Sequence, residues 1–167
     1  MLATHITETN RCKFSSHKSR ANVAEFKIGV GVDAISIVVA TLRCYMNESG
    51  GPTKSLAEFF KVPSNQIIIA HDELDIPFES IRIKLGGGDN GHNGLKSITQ
   101  SLGTGEYYRI RLGIGRPPGT QDPGDYVLKP FNSTERSELA KFIERGGAAT
   151  ESLIMKGLTF TQQEFNS

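Results

Sequence analysis

Two short stretches gather the side chains best suited to acid–base and hydrogen-bonding chemistry. In the first, His71, Asp72, Glu73 and Asp75 follow directly on the apolar run Ile67, Ile68, Ile69 and Ala70, so carboxylates stand where a buried strand emerges. In the second, Gly86, Gly87, Gly88, Asp89, Asn90, Gly91, His92 and Asn93 form a loop with little side-chain bulk. Its glycines let the backbone come close to a ligand, while Asn90, His92 and Asn93 offer donors and acceptors. The order suggests an acid and an amide-lined loop sharing one cleft.

Several chemistries fit parts of this pattern. Gly86, Gly88 and Gly91 satisfy GxGxxG, with Glu106 twenty positions after Gly86, the spacing of a dinucleotide site in an oxidoreductase domain. Against it, Arg82 and Lys84 alternate along the preceding strand, where a central parallel strand is apolar throughout. A phosphate-binding Walker loop is excluded, because Leu95 rather than a glycine precedes Lys96 and Ser97. His71, Asp72, Glu73 and Asp75 alternate faces along an extended segment, which favours a solvated acidic turn over a metal site. His92 reads as a general base or, more simply, as a hydrogen-bond donor of the loop.

Elements must position these groups. Residues 2–14 read as a weakly amphipathic helix, followed by a polar turn at Ser15, Ser16 and His17 among Arg11, Lys13, Lys18 and Arg20, a solvated basic loop. Ala24, Phe26, Ile28 and Val30 alternate with polar residues and pair as a hairpin with 35–40, whose nearly continuous apolar run predicts an interior strand. Residues 52–60 form a helix ended by Pro63. The run 67–70 predicts a strand buried on both faces, and Ile81, Ile83 and Leu85 a second strand leading into the glycine loop. Leu95, Ile98 and Leu102 lie at helical spacing up to Gly103. A strand with a basic face follows at Tyr108, Ile110, Leu112 and Ile114, then a connecting loop at 116–125. Asn132 and Glu135 form a capping box for a last helix that ends near Lys156 and Gly157, and Gly146–Gly147 inside it implies close packing.

The 167 residues carry 19 basic and 18 acidic groups, a net charge of +1. This size suits one domain, and the balance leaves a polyanion site to a local patch. Cys12 and Cys44 lack a ligand or disulfide pattern and read as thiols of a reducing compartment. Without a membrane-length apolar run or an apolar signal core, the expected location is the cytoplasm.

Taken in order, RCYMNESG from Arg43, IIAHDELDIP from Ile68, KLGGGDNGHNGLKS from Lys84 and YRIRLGIGRPPG from Tyr108 closely resemble bacterial peptidyl-tRNA hydrolase, in its actinobacterial style. The resemblance runs from about Leu2 to Thr159. It implies a monomeric, single three-layer α/β/α domain around a mixed, mostly parallel sheet, spanning 1–167. The activity it implies is hydrolysis of the ester between peptide and tRNA, with no metal or cofactor and no membrane. Asp72 matches the acid that orients the catalytic histidine, the general base on water. Tyr45, Asn47 and Asn93 match substrate-contacting residues, and Met46, Gly91 and His92 would line the same cleft. Lys84, Arg109, Arg111 and the basic residues near Lys18 are the candidates for tRNA phosphates.

One departure stands out. The family opens with an apolar strand, a Gly-Asn-Pro-Gly turn and Thr-Arg-His-Asn bearing the catalytic histidine, and here none of the four histidines, His5, His17, His71 and His92, lies in such a motif. The expectation is therefore a chain lacking that opening, through a late start codon or a truncated gene, with an interior strand missing. Its alternative is a non-catalytic tRNA- or peptide-binding remnant that keeps Tyr45, Asn47, Asn93 and the basic patch.

Overall fold

A computed structural model describes residues 1–117 and 119–166. The chain divides into two units, Met1–Ile67 with Gly87–Glu106, and Ile68–Gly86 with the chain from Tyr107 onward.

In the first unit, α1 (Leu2–Thr9) is followed by β1 (Ser15–His17), β2 (Ala21–Ile28) and β3 (Ile35–Leu42), an antiparallel sheet in that order. Ala21 and Val23 of β2 and Leu56 of α2 (Gly50–Phe60) are buried together, with Val38, Leu42 and Phe60 packed around them. The helix leaves α geometry at Lys61, which adopts a left-handed φ of 56°, before Pro63 can act. α3 (Asn93–Leu102) ends as expected at Gly103, also left-handed.

Three expectations change here. Ser15–His17 is a strand rather than a turn, in register with Val23 to Ala21, because the outer backbone groups of β2 take partners there. The first helix stops at Thr9 and the chain turns at Arg11, φ 54°. Finally, β3 is an edge strand, and β2 is the central one. A run such as Ile37, Val38 and Val39 specifies a strand with apolar faces, but does not count its neighbours.

The second unit holds β4 (Ile68–Glu73), β5 (Ile81–Leu85) and β6 (Tyr108–Gly113), ordered β4-β6-β5. β4 runs parallel to β6, and β5 antiparallel to it. One face of the sheet contributes Ile81, Ile83 and Ile110 to a core completed by Phe142, Ala149 and Leu153 of α5 (Ser133–Lys156) and Phe165 of α6 (Leu158–Phe165). On the other face Lys84 lies opposite Arg109 and Arg82 opposite Arg111. The Asn132–Glu135 capping box is present, with the Asn132 side chain accepting the Glu135 N–H at 2.9 Å and the Glu135 carboxylate accepting the Asn132 N–H at 2.8 Å.

The fold is mixed α/β with a mixed sheet, but the expected single, mostly parallel sheet is corrected. Among the described residues the strands form two three-stranded sheets, and β4–β6 is the one parallel pairing. Apolar periodicity sets which face is buried, not strand direction. β4 lies at an edge with Ala70 exposed, not buried on both faces. Residues 116–125 were expected to be loop throughout, yet α4 (Pro123–Val127) starts within them, capped by Asp122, whose carboxylate accepts the Asp125 N–H at 3.1 Å. Pro118 of that stretch lies outside the described residues. Cys12 and Cys44 are free thiols. No helix among the described residues is long and apolar enough to cross a membrane.

Candidate active site

In the first unit, β3 delivers Tyr45 into a 3-10 turn at Met46–Glu48. Ser49 closes that turn, its hydroxyl donating to the Met46 carbonyl at 2.8 Å. The turn packs on α3. Gly50 permits the approach: its N–H donates to Ser97 Oγ at 2.9 Å, and a Cβ there would lie 2.1 Å from the Ser97 carbonyl oxygen. Gly94 has a similar role, since its Cβ would fall 2.6 Å from Met46 Sδ. Tyr45, Met46 and Asn47 are thereby gathered with Gly91, His92 and Asn93 at the start of α3. Tyr45 is 80% exposed, and Asn47, Gly91 and Asn93 are exposed too. A phenol, two amides and a thioether are thus offered to a ligand.

His92 differs from its expected role as a donor. Its Nδ1 accepts the N–H groups of Gly94 at 3.1 Å and Leu95 at 3.2 Å, so the imidazole caps α3. Accepting through Nδ1 selects the Nε2–H tautomer of the neutral ring. The first-turn N–H groups beside Asn93 are the groups that His92 engages. Sequence reasoning passed over Gly50, Gly94 and Ser97; the signal was a row of small residues at two helix starts.

In the second unit, Asp72 is half-buried near the end of β4, in register with Leu112. Buried His71 places Nδ1 2.8 Å from the Asp72 carbonyl oxygen. Glu73 Oε2 is held by Arg111, at 3.1 Å from Nε and 3.0 Å from Nη2. Asp75 Oδ1 accepts from Arg116 Nε at 2.7 Å. Two of the acids therefore answer guanidinium groups, and among the described residues no three His, Cys, Asp or Glu side chains converge on a metal position.

The three cations of this unit marked from sequence, Lys84, Arg109 and Arg111, are all at least partly buried. Arg109 is 1% exposed, its guanidinium 4.8 Å from the centre of the Tyr107 ring. Lys84 is only partly buried. Burial, then the charges of Arg111 and Arg109, hold the pKa of its ammonium below the usual lysine range, against the opposing pull of Glu73.

The dinucleotide alternative does not survive. β5 precedes the glycine loop but runs antiparallel to β6, so α3 is not the crossover between parallel strands that such a site needs. A Cβ at Gly91 would meet nothing within 4 Å, so the third glycine has no close packing to permit. A groove of about 620 Å³ in the first unit, lined by Lys54, Lys61, Pro63 and Leu102 among others, contains none of the candidate site residues.

Comparison with known proteins points to a family and a fold. A family model described as peptidyl-tRNA hydrolase matches residues 1–167. The peptidyl-tRNA hydrolase of Streptomyces coelicolor is 48% identical over 169 residues, covering 100% of this chain and 84% of the relative. That of Kineococcus radiotolerans is 44% identical over 170 residues, covering 100% of this chain and 86% of the relative. A crystal structure of peptidyl-tRNA hydrolase from Acinetobacter baumannii superposes with a TM-score of 0.87 at 24% identity, over 99% of this chain and 83% of that one, a likeness of fold.

Proposed function

The chain belongs to the peptidyl-tRNA hydrolase family, and we propose that it hydrolyses the ester joining a peptide to the terminal ribose of tRNA, freeing the tRNA for translation. The observation that carries this reading is the gathering of Tyr45, Met46 and Asn47 with His92 and Asn93 in one unit, held by Gly50 and Gly94. Water attacks the ester carbonyl carbon, a general base takes its proton, and the carbon–oxygen bond to the ribose breaks as that oxygen is protonated. Asn47 and Asn93 hold the peptide backbone and the water, Tyr45, Met46 and Gly91 flank the substrate, and Asp72 serves as the acid that orients the base. Of the cations marked from sequence in the second unit, partly exposed Lys84 is the better phosphate contact, since Arg109 and Arg111 face Tyr107 and Glu73. The whole span is read as one domain of that family, a monomer of the cytoplasm where its substrate arises.

We place the general base outside the four histidines of this sequence, in a family opening segment that brings an added strand. In support, His92 caps α3, His71 is buried against the Asp72 carbonyl, and His17 Nδ1 accepts the Ser19 N–H. β3 and β4, each of interior composition, stand at sheet edges. The test compares this chain with one carrying the Gly-Asn-Pro-Gly and Thr-Arg-His-Asn opening, measuring release of N-blocked amino acid from tRNA. A positioned base is worth about 10²–10⁴ in rate, so the extended form should be faster by that order. Equal turnover would place the base within these residues, and turnover by neither would leave a binding protein.

A further inference from the structure

On the first unit, beside the basic residues near Lys18, three rings meet at the surface. His17 lies edge-on to Phe59, centroids 4.6 Å apart at 74°, and Phe59 edge-on to Phe60 at 4.9 Å and 77°. Phe60 is rooted in the core with Leu56 and Val23, and Ser19 ties the turn after β1 to α2 through a 2.8 Å hydroxyl contact with Ser55. Phe59 is nevertheless 52% exposed. The support is rigid and the ring it carries faces water.

The rim of this cluster is basic. Lys18 Nζ stands 5.3 Å from the centre of the Phe59 ring, and Arg43 donates through Nη2 to the His17 carbonyl at 3.1 Å. Arg20 pairs with Glu48 at 2.7 Å. Lys18, Arg20 and Arg43 against Glu48 leave an excess of two positive charges, beside flat rings held in place. Glu48 adjoins Asn47 in the 3-10 turn, so that ion pair joins the basic rim to the turn bearing the substrate amide.

We propose that His17, Lys18 and Phe59 form a stacking platform for an unpaired nucleotide of the tRNA, with Lys18 and Arg43 on its phosphates. The chemistry matches on both counts: a base has a π face for the exposed ring, and its backbone has the charge that the rim lacks. A cation over an exposed ring is held weakly, so a base displaces the Lys18 ammonium from the ring toward the neighbouring phosphate. The proposal rests on the tRNA reading above and extends it to the nucleic-acid partner's own contact.

The test uses the whole chain and a fluorescein-labelled pentauridylate, followed by anisotropy across a salt series. Phe59→Leu keeps apolar volume but removes the ring, and should weaken binding about tenfold. Lys18→Gln should flatten the slope of log affinity against log salt by about 0.7. Urea unfolding of both variants should match the wild type. Equal affinity for wild type and both variants overturns the platform, as does a wild type that ignores the oligonucleotide or one whose self-association Phe59→Leu abolishes. Turnover of N-blocked aminoacyl-tRNA by the form with the family opening separates the two proposals. Turnover with unaltered variant binding removes the platform alone, whereas nucleotide binding that depends on Phe59 without any turnover removes the hydrolytic reading alone.

Discussion

His92 caps the helix that begins one residue later, its Nδ1 standing 3.1 Å from the Gly94 nitrogen. An imidazole in this role does the work usual for Asn, Asp or Ser. His92→Ala should lower stability by about 1 kcal/mol, while His92→Asn, which also accepts N–H bonds at a cap, should restore most of it. Urea midpoints of the three proteins decide this; an alanine variant as stable as wild type would show that the cap carries no weight.

Gly94 sits between that cap and Met46. A methyl group there would stand 2.6 Å from Met46 Sδ and 2.9 Å from His92 Cε1. Gly94→Ala should therefore destabilise by about 1–3 kcal/mol. Met46→Ala in the same chain should recover part of this, because one of the two obstructions goes. Thermal unfolding of the single and double variants checks the coupling, and strict additivity would argue that Gly94 and Met46 do not interact.

Asn47 and Asn93 are exposed, so their amides can leave without opening a cavity. Asn47→Ala and Asn93→Ala, made in the form with the family opening, should each lower kcat/KM roughly 3- to 10-fold, the worth of one neutral hydrogen bond. Melting temperatures should stay put. Unchanged kcat/KM in both variants would remove them from the site.

Glu73 and Arg111 form an ion pair whose side chains are 9% and 18% exposed. Removing one partner of such a pair strands the other, so Glu73→Ala should destabilise by about 3 kcal/mol. Joint replacement by Glu73→Leu and Arg111→Met should cost much less. Calorimetry on the two variants distinguishes a stranded charge from lost packing, which the double variant would not repair.

Lys84 supplies a pH signature. Its folded pKa lies below the ordinary 10.5, so between the two values the unfolded chain binds more protons and stability rises with pH. Below the folded value the ammonium is protonated in both states and its full penalty is present. Lys84→Met should then be more stable than wild type at pH 7, with the difference shrinking as pH climbs toward 10.5. Denaturant midpoints at pH 7 and pH 10 measure it; a constant difference would assign the effect to packing instead of charge.

Local signals in the sequence determined most of the elements and the place of the candidate site. The Asn132–Glu135 box, the Gly103 stop and the β2–β3 hairpin depend on residues a few positions apart, so spacing alone was sufficient to find them. The four blocks from Arg43 to Gly119 likewise carried the family. What tertiary structure decided was everything that depends on distant partners. Ile67–Ala70 reads as a doubly buried strand, but its place at a sheet edge follows from which strands exist to pair with it. Arg109 and Arg111 read as a basic face; whether they meet solvent depended on Tyr107 beside one and Glu73, thirty-eight residues away, beside the other. His92 became an acceptor because its ring folds back onto N–H groups that α3 creates only once it forms. Periodicity encodes a residue's own backbone state and facing, whereas pairing, burial of charge and the direction of a hydrogen bond belong to the neighbour that folding brings.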